Sequence, residues 1–314
     1  MTNNNFHSLL NRDIDWGLIV NTQEEFQSHR KVFGFDGVTI YDGQRYTNGY
    51  IGSRKVIITE SAREGAVGVM RSVSELMHNF KPLILTNTGT GGLRPHPDDD
   101  VSSGDVIVPT KIACYDFVNM VDGSLIDLGC SYQPHPTLMA LAKQVQETQW
   151  YKGKIPFSSS DHINPDVKFR TLITGEKKLS DANSYLQNEI LSRNKDARIV
   201  DMESWYFMDA IHLSGSLIPV IVTRVACDDI VRSSNIQDQR NALRSPCSGA
   251  IAEFNLELIK TAEEYDIFNQ LKNGYDPPLF QHYKRLDKRD VLKHALEFGS
   301  SMAAGMASKF FLPH

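Results

Sequence analysis

Residues 82–92 read PLILTNTGTGG, a short apolar run that leads into closely spaced glycines. The apolar run predicts a strand over 82–89, and the glycines at its end predict a tight turn. Glycines there let backbone amides approach an anionic or hydroxyl-rich ligand. The stretch lacks the Gly-Lys-Ser/Thr of a P-loop and the Gly-x-Gly-x-x-Gly of a dinucleotide-binding turn. Taken alone, it fits an ordinary strand-exit turn at least as well as a ligand loop.

Comparable apolar runs lie on both sides of this stretch and alternate with segments of helical periodicity. Several of the predicted strands are apolar on both faces, as in a central sheet that helices cover. We therefore expect an α/β fold, a three-layer sandwich in which helices flank a mixed, strongly curved central sheet. The strands are predicted at 16–20, 55–60, 82–89, 104–113, 168–175, 197–202 and 217–226 with a hairpin-like pair at 37–52, and the helices at 63–80, 136–149, 182–193 and 203–214.

Acidic residues follow two of these strands, at the end where open α/β sheets bind ligands. Glu203 stands between a strand and a helix, where a carboxylate can accept two hydrogen bonds from a vicinal diol such as that of ribose. It can equally well just interact with the positive end of the helix. Asp228 follows the most hydrophobic strand, so we expect it to be desolvated and suited to general acid catalysis. The alternative is a residue that caps a turn.

Composition narrows the class of protein. The chain has 314 residues, 41% hydrophobic and 23% charged, which suits one large α/β domain or two small ones. We expect a single domain over 1–314. Its formal net charge of −5 does not favour a nucleic-acid partner. Without a signal peptide or an apolar window of ~20 residues, we expect a cytoplasmic protein with no membrane partner. Because no two of its four cysteines form a Cys-x-x-Cys pair, no metal site is predicted.

Four motifs taken in order are specific, although none is so by itself. They are Gly-Thr-Gly-Gly-Leu at 89–93, Gly-Asp-Val-Ile-Val at 104–108, Asp-Met-Glu at 201–203 and Arg-x-x-x-Asp at 224–228. In order and spacing they resemble the nucleoside phosphorylase superfamily, in particular the bacterial methylthioadenosine/S-adenosylhomocysteine nucleosidases. The resemblance runs from Gly17 to Asp228 and resumes at 295–302, which is similar to the family's final helix.

The resemblance implies cleavage of an N-ribosidic bond with release of a purine, without a metal or an organic cofactor. Asp228 matches the acid that protonates or hydrogen-bonds purine N7. Glu25 matches the acid that positions and activates water, with Glu24 in reserve should the alignment slip by one residue. Carboxylates below the sugar suit a leaving base, because its departure builds oxocarbenium character. The implied substrate-binding residues are Thr90 and Gly91 near the water and sugar, Asp201, Met202 and Glu203 at the ribose, Arg224 beside the carboxylates, and Arg63 near the 5′ substituent.

The sequence departs from the family pattern at positions that decide the acceptor of the ribosyl group, water or phosphate, and the identity of the substrate. Asn87 stands where hexameric phosphorylases carry a phosphate-binding arginine, so hydrolysis is favoured over phosphorolysis, which stays the enzymatic alternative. A nucleotide-sensing domain without turnover is the alternative from another class. Lys178 replaces a purine-stacking phenylalanine and Asp201 the usual glutamate. Arg63 replaces an apolar residue at the 5′ pocket, or is simply a solvated residue of a first helical turn. The ligand is a purine nucleoside or nucleotide whose base and 5′ substituent stay open.

After the strand at 217–226 the pattern changes. Residues 229–286 are polar, carry Arg232, Arg240 and Arg244, and resemble an inserted segment. One amphipathic helix within it places Ile251, Phe254, Leu258, Ala262 and Tyr265 on one side. The segment is interpreted either as a lid whose arginines close over the substrate, or as a helix that docks on the domain or on an oligomer partner. A last helix is expected over 287–311. The family resemblance implies a homo-oligomer.

Overall fold

The computed structural model describes residues 14–272 except 95, 97–100, 122–123, 128–130, 152–154, 157–161, 180–183 and 231–235. The expected helix over 287–311 and Arg232 lie outside the described residues. Strands are β1 (Trp16–Val20), β2 (Thr39–Tyr41), β3 (Gln44–Ile51), β4 (Arg54–Glu60), β5 (Ile84–Leu93), β6 (Val106–Cys114), β7 (Val118–Val121), β8 (Ser124–Asp127), β9 (Ser131–Tyr132), β10 (Ile155–Pro156), β11 (His162–Ile163), β12 (Val167–Thr174), β13 (Ala197–Asp201) and β14 (Val220–Asp229). Helices are α1 (Gln23–Phe33), α2 (Ala66–Asn79), α3 (Pro136–Gln146), α4 (Tyr185–Arg193), α5 (Ser204–Leu213), α6 (Ile236–Glu264) and α7 (Ile267–Lys272).

The main sheet is mixed and closes on itself at one end. Its strand order is β13-β12-β6-β14-β5-β1-β4-β3-β2, and β9 pairs with β6 outside this path. β1, β4, β5 and β14 run parallel to their neighbours in that group, whereas β6 is antiparallel to β14. β13 also pairs antiparallel with β5, which brings the edge strand back to the middle of the sheet. The strong curvature predicted from the sequence is therefore confirmed.

The glycines of 89–92 do not form the turn that the sequence analysis expects. They remain in β5, where Gly89 pairs with Arg224 and Gly92 with Val200. A Cβ on Gly91 would lie 2.8 Å from the side chain of Ile199, and one on Gly92 only 2.5 Å from that of Ile230. The glycines thus serve close packing of β5 against its surroundings rather than a reversal of the chain.

Helices cover both faces of the sheet, which gives the three layers. Side chains of β1 alternate between two hydrophobic clusters, with Leu18 in one and Ile19 in the other. The first cluster takes its helical members from α1, α3, α6 and α7, and the second takes them from α2 and α5. The sequence analysis misses α1, whose start a capping box at Thr22 marks.

Helix α6 forms a large part of the segment that the sequence analysis interprets as inserted. Its residues Ile251, Phe254, Leu258 and Ala262 are fully buried in the first cluster, whereas Tyr265 lies beyond the helix and is exposed. This face packs on the first cluster, whereas the interpretations of 229–286 as a lid or as an oligomer contact stay predictions. Because such burial of apolar side chains stabilises a fold, α6 is part of the core of the domain.

Candidate active site

A pocket opens where several strands end, and most of the predicted site residues line it. Asn21 follows β1, Gly91 lies near the end of β5, Met202 follows β13, and Asp228 lies near the end of β14. The cavity measures about 140 Å³. Its lining consists of Asn21, Thr22, Glu25, Glu64, Thr90, Gly91, Gly92, Tyr115, Lys177, Lys178, Leu179, Val200, Asp201, Met202, Glu203, Asp228, Ile230 and Arg244.

Glu25 joins helix α1 to strand β5. Its Oε2 accepts hydrogen bonds from the backbone N–H of Asn21 at 2.9 Å and of Thr22 at 3.1 Å, while Oε1 accepts from the backbone N–H of Thr90 at 2.7 Å and its hydroxyl at 3.0 Å. The bond from Thr22 makes Glu25 part of the capping box of α1, and the two bonds from Thr90 join it to β5 at the pocket. Burial raises the pKa of this carboxyl, although the Thr90 amide opposes the shift. Glu24 points elsewhere, toward an ion pair with Arg244.

Glu203 is a buried carboxyl of the pocket that binds two backbone N–H groups. Its Oε1 accepts from the backbone N–H of Gly65 at 2.8 Å, in the loop before α2, and its Oε2 from that of Met202 at 3.3 Å. Burial, followed by the charge of Asp201, raises its pKa to about 8, against an opposing effect of Arg224. This carboxyl therefore binds a proton readily near neutral pH and releases it when cationic charge develops beside it.

Asp201 and Arg224 form a buried ion pair behind the pocket. Arg224 Nε donates to Asp201 Oδ2 at 2.7 Å, and neither side chain is more than 1% exposed. The Thr174 hydroxyl donates to Asp201 Oδ1 at 2.6 Å, and the other guanidinium nitrogens of Arg224 donate to Asn87 and to the carbonyl of Thr223. A fully bonded pair of this kind fixes orientation more than it adds stability. It holds the end of β13, and with it Glu203, against β14.

Asp228 lies at the pocket end of β14, with only 2% of its surface exposed. Beside it an apolar wall is formed by Leu179, Val200 and Ile230, which belong to one buried cluster and all line the pocket. An apolar surface next to a carboxyl suits a heteroaromatic ring that carries a polar ring nitrogen.

The loop after β12 closes the pocket near this wall. The Tyr115 hydroxyl donates to the carbonyl of Gly175 at 3.1 Å and to that of Lys177, and the Tyr115 ring occupies the space that a Cβ on Gly175 would need. Lys177 also pairs with Asp116 at 3.2 Å. Lys178, exposed but lining the pocket, thus sits on an anchored loop.

Two arginines predicted near the 5′ substituent have different positions. Arg244, on α6, lines the pocket, with its Nε 3.3 Å from Glu24 Oε2. Arg63 is exposed and does not belong to the lining. Of the residues described, no group of three or more His, Cys, Asp or Glu side chains is placed to hold a metal ion.

Several residues at the site are not predicted from the sequence: Asn21, Thr22 and Tyr115 line the pocket, and Gly65 binds Glu203. Asn21 and Thr22 are found only once the capping box of α1 is read together with the end of β1. Gly65 and Tyr115 act through a backbone N–H and through a contact between distant loops, which leave no motif in the sequence.

Fold and pocket together define a class: an α/β protein with acidic side chains gathered at strand ends around an apolar wall. The chain belongs to the phosphorylase superfamily, whose model matches residues 15–252. The match reaches into α6, in keeping with the packing of that helix on the core.

Relatives and solved structures agree with this family. The chain is 24% identical over 189 residues to a 5′-methylthioadenosine/S-adenosylhomocysteine nucleosidase of Staphylococcus carnosus, which covers 59% of this chain and 73% of the relative. Futalosine hydrolase of Helicobacter pylori superposes with a TM-score of 0.62 at 18% identity, over 81% of this chain and 99% of that one. The 5′-methylthioadenosine/S-adenosylhomocysteine nucleosidase of Neisseria meningitidis, in complex with methylthio-immucillin-A, superposes with a TM-score of 0.61 at 16% identity. The superposition covers 79% of this chain and 99% of that one.

Proposed function

We propose that this protein hydrolyses the N-ribosidic bond of a purine nucleoside or nucleotide, which yields the free base and the ribose derivative. The observation that carries this proposal is the placement of Asp228, Glu203 and Glu25 around one buried pocket beside an apolar wall. The name of the Staphylococcus carnosus relative supports it, since that protein is a nucleosidase of 5′-methylthioadenosine and S-adenosylhomocysteine.

In this reaction Asp228 donates a proton or a hydrogen bond to N7 of the base, which makes the base a better leaving group. Glu203 accepts hydrogen bonds from the ribose hydroxyls, and its negative charge stabilises the oxocarbenium character that develops on the sugar. Glu25 accepts a proton from the attacking water. Because burial raises its pKa, it is a stronger base than a solvated carboxylate.

Water is favoured over phosphate as the acceptor. Asn87 occupies the position of the phosphate-binding arginine, and its side chain donates to the carbonyl of Ile19 and to Asn21. The nearby Arg224 is fully buried, and its hydrogen bonds go to Asp201, Asn87 and Thr223. Neither side chain is therefore presented to a phosphate ion.

The deciding experiment incubates the purified protein with methylthioadenosine, S-adenosylhomocysteine, inosine and AMP, with and without inorganic phosphate. We expect free purine and free ribose or its 5′ derivative in phosphate-free buffer, from at least one of these compounds. Ribose 1-phosphate as the main product, formed only with phosphate, would establish phosphorolysis instead. Binding of a compound with no release of base would establish a sensing domain.

The proposal extends to assembly and location. Val67 and Phe117 are exposed, and each lies two residues from a residue at the pocket, Gly65 and Tyr115. Exposed apolar side chains beside a site favour a homo-oligomer in which a neighbour completes the pocket.

The three described cysteines are free and buried, which suits the reducing cytoplasm. In the part of the chain that the structure describes, no helix combines the length and apolarity that a membrane crossing needs. Light scattering of the purified protein tests the oligomer.

A further inference from the structure

Asn255 of helix α6 is a polar residue buried inside the core, with 1% of its surface exposed. Its side-chain nitrogen lies 2.8 Å from the hydroxyl of Thr88 and 3.0 Å from Nε2 of His29. Its side-chain oxygen accepts from the hydroxyl of Thr223 at 3.1 Å. One amide thus contacts α1, β5 and β14 at the same time.

The donors and acceptors of this cluster fix the tautomer of His29. Because the Asn255 nitrogen is a donor, Nε2 of His29 accepts, and its proton resides on Nδ1. Nδ1 then donates to the carbonyl of Glu25 at 2.8 Å. Burial lowers the pKa of His29 to about 4, so the ring is neutral at neutral pH. The cluster is closed, and each ring nitrogen has a partner of the right kind.

Each anchor of the cluster lies next to a residue of the proposed site. His29 is one helical turn after Glu25. Thr88 and Thr90 lie on the same face of β5, because side chains two positions apart on a strand share a face. Thr223 directly precedes Arg224. The cluster therefore stands behind the contact between Glu25 and Thr90, on the side away from the pocket.

We propose that His29 and Asn255 are positioning residues for the proposed hydrolysis: they hold α1 at the distance from β5 at which the Glu25 carboxylate meets Thr90. This inference rests on the proposed function, since it concerns the group that activates water. The cluster acts on the rate of the chemical step and leaves the affinity for substrate unchanged, because neither residue lines the pocket. Displacement of a reacting group by about 1 Å costs on the order of a hundredfold in rate.

Two substitutions of His29 separate positioning from mere packing. His29→Gln places an amide oxygen where Nε2 lies and preserves the bond from Asn255. His29→Asn preserves a donor near the Glu25 carbonyl but cannot reach Asn255. Asn255→Leu replaces the amide by an isopropyl group of the same branched shape, which removes the hydrogen bonds. Thr261→Val is the matched control, because Thr261 is a buried polar residue on the same helix outside the cluster.

The experiment measures kcat and KM for the compound that the wild-type protein cleaves, together with the thermal unfolding midpoint. We expect His29→Asn and Asn255→Leu to lower kcat by roughly tenfold to a hundredfold with KM nearly unchanged. His29→Gln and Thr261→Val keep wild-type kcat. Equal losses in His29→Gln and His29→Asn, or lowered midpoints with unchanged kcat, would overturn the inference. Should Asn255→Leu not fold, the two His29 variants decide. A wild-type protein that releases no base from any compound refutes the proposed function, and this inference with it.

Discussion

Thr90 and Glu25, 65 positions apart in the chain, are joined by two hydrogen bonds to a single carboxylate oxygen. The backbone N–H of Thr90 donates to Oε1 of Glu25 at 2.7 Å and its hydroxyl at 3.0 Å. The residue before Thr90 is Gly89, and a Cβ built there would lie 2.8 Å from both carboxylate oxygens of Glu25. The approach of helix α1 to strand β5 therefore depends on the absence of a side chain at this position.

Gly89→Ala is expected to push the Glu25 carboxylate away from Thr90. The methyl group meets the carboxylate well inside van der Waals contact, so helix or strand must shift, at a stability cost of about 1–3 kcal/mol. We expect release of base to fall by on the order of a hundredfold. Gly249→Ala is the control, because a Cβ there meets no atom within 4 Å. A Gly89→Ala protein with wild-type turnover would show that Glu25 does not need this geometry.

The order of strands and helices was predictable because buried strands are apolar runs in the sequence. Their alternation with helices indicates a layered α/β fold. The function of Gly89 was not predictable. A glycine-rich stretch after an apolar run predicts a turn by local rules, whereas in the protein these residues continue β5. Glycine is required at these positions by neighbours that are distant in sequence. A Cβ on Gly89 would meet the carboxylate of Glu25, one on Gly91 the side chain of Ile199, and one on Gly92 that of Ile230. Contacts of that kind leave no local signal.

Asp228→Asn tests the acid at the base. Asparagine keeps the shape of the side chain but cannot transfer a proton to N7. A positioned acid contributes typically ~10²–10⁴-fold, so we expect release of base to slow at least roughly a hundredfold. The circular dichroism spectrum should match that of the wild type. Near-normal turnover would show that another group assists the leaving base.

Glu203→Gln tests the clamp on the sugar through the pH dependence of the reaction. The pKa of Glu203 is raised from 4.5 to about 8, so the free protein holds this carboxyl protonated below that pH. Because the ionised form stabilises the ribosyl cation, we expect kcat/KM to rise with pH up to about 8. In Glu203→Gln this rise should vanish, and kcat should fall more than KM changes.

The same raised pKa predicts that the free energy of unfolding falls as the pH rises, whereas kcat/KM rises. A folded-state pKa above the unfolded one means that the folded state binds more protons between pH 4.5 and about 8. The contribution of Glu203 to stability is then full below pH 4.5 and is lost as the pH rises to about 8. Urea unfolding at pH 5 and pH 8 checks this. The difference in unfolding free energy between the two pH values should be smaller in Glu203→Gln than in the wild type, and an equal difference contradicts the shift.

Asp201, Glu203 and Asp228 were predictable because they follow strands in an ordered set of motifs, whereas Glu25 was assigned only through the family resemblance, with Glu24 in reserve. Arg224 was predicted to fix the carboxylates, and it does bind Asp201. The role of Arg63 near the 5′ substituent stays a prediction, and its exposed position outside the pocket lining favours the alternative of a solvated residue. Position in sequence relative to a helix start does not say which way a long side chain turns. Arg244 was one of several arginines in a polar segment. Only the packing of α6 singles it out, because that helix carries it to the pocket.

The position of Arg244 bears on the 5′ end of the substrate. Arg244 lines the pocket within an ion pair to Glu24 whose side chains remain about a third exposed, so the guanidinium is accessible to a ligand. A thioalkyl group gains nothing from a guanidinium, whereas a phosphate gains charge-assisted hydrogen bonds. We therefore expect AMP to be cleaved with a higher kcat/KM than methylthioadenosine.

Arg244→Ala should remove this preference. A hydrogen bond to a charged group contributes roughly 1.5–3 kcal/mol, so kcat/KM for AMP should fall about tenfold or more, while that for methylthioadenosine changes little. Arg63→Ala serves as the comparison, because this exposed side chain lies outside the pocket lining and its loss should leave both substrates unaffected. A fall for AMP in Arg63→Ala alone would move the phosphate site to the start of α2. Equal or better cleavage of methylthioadenosine by the wild type would end the idea of an anionic 5′ substituent, and it would leave Arg244 with its ion pair to Glu24 as its sole role.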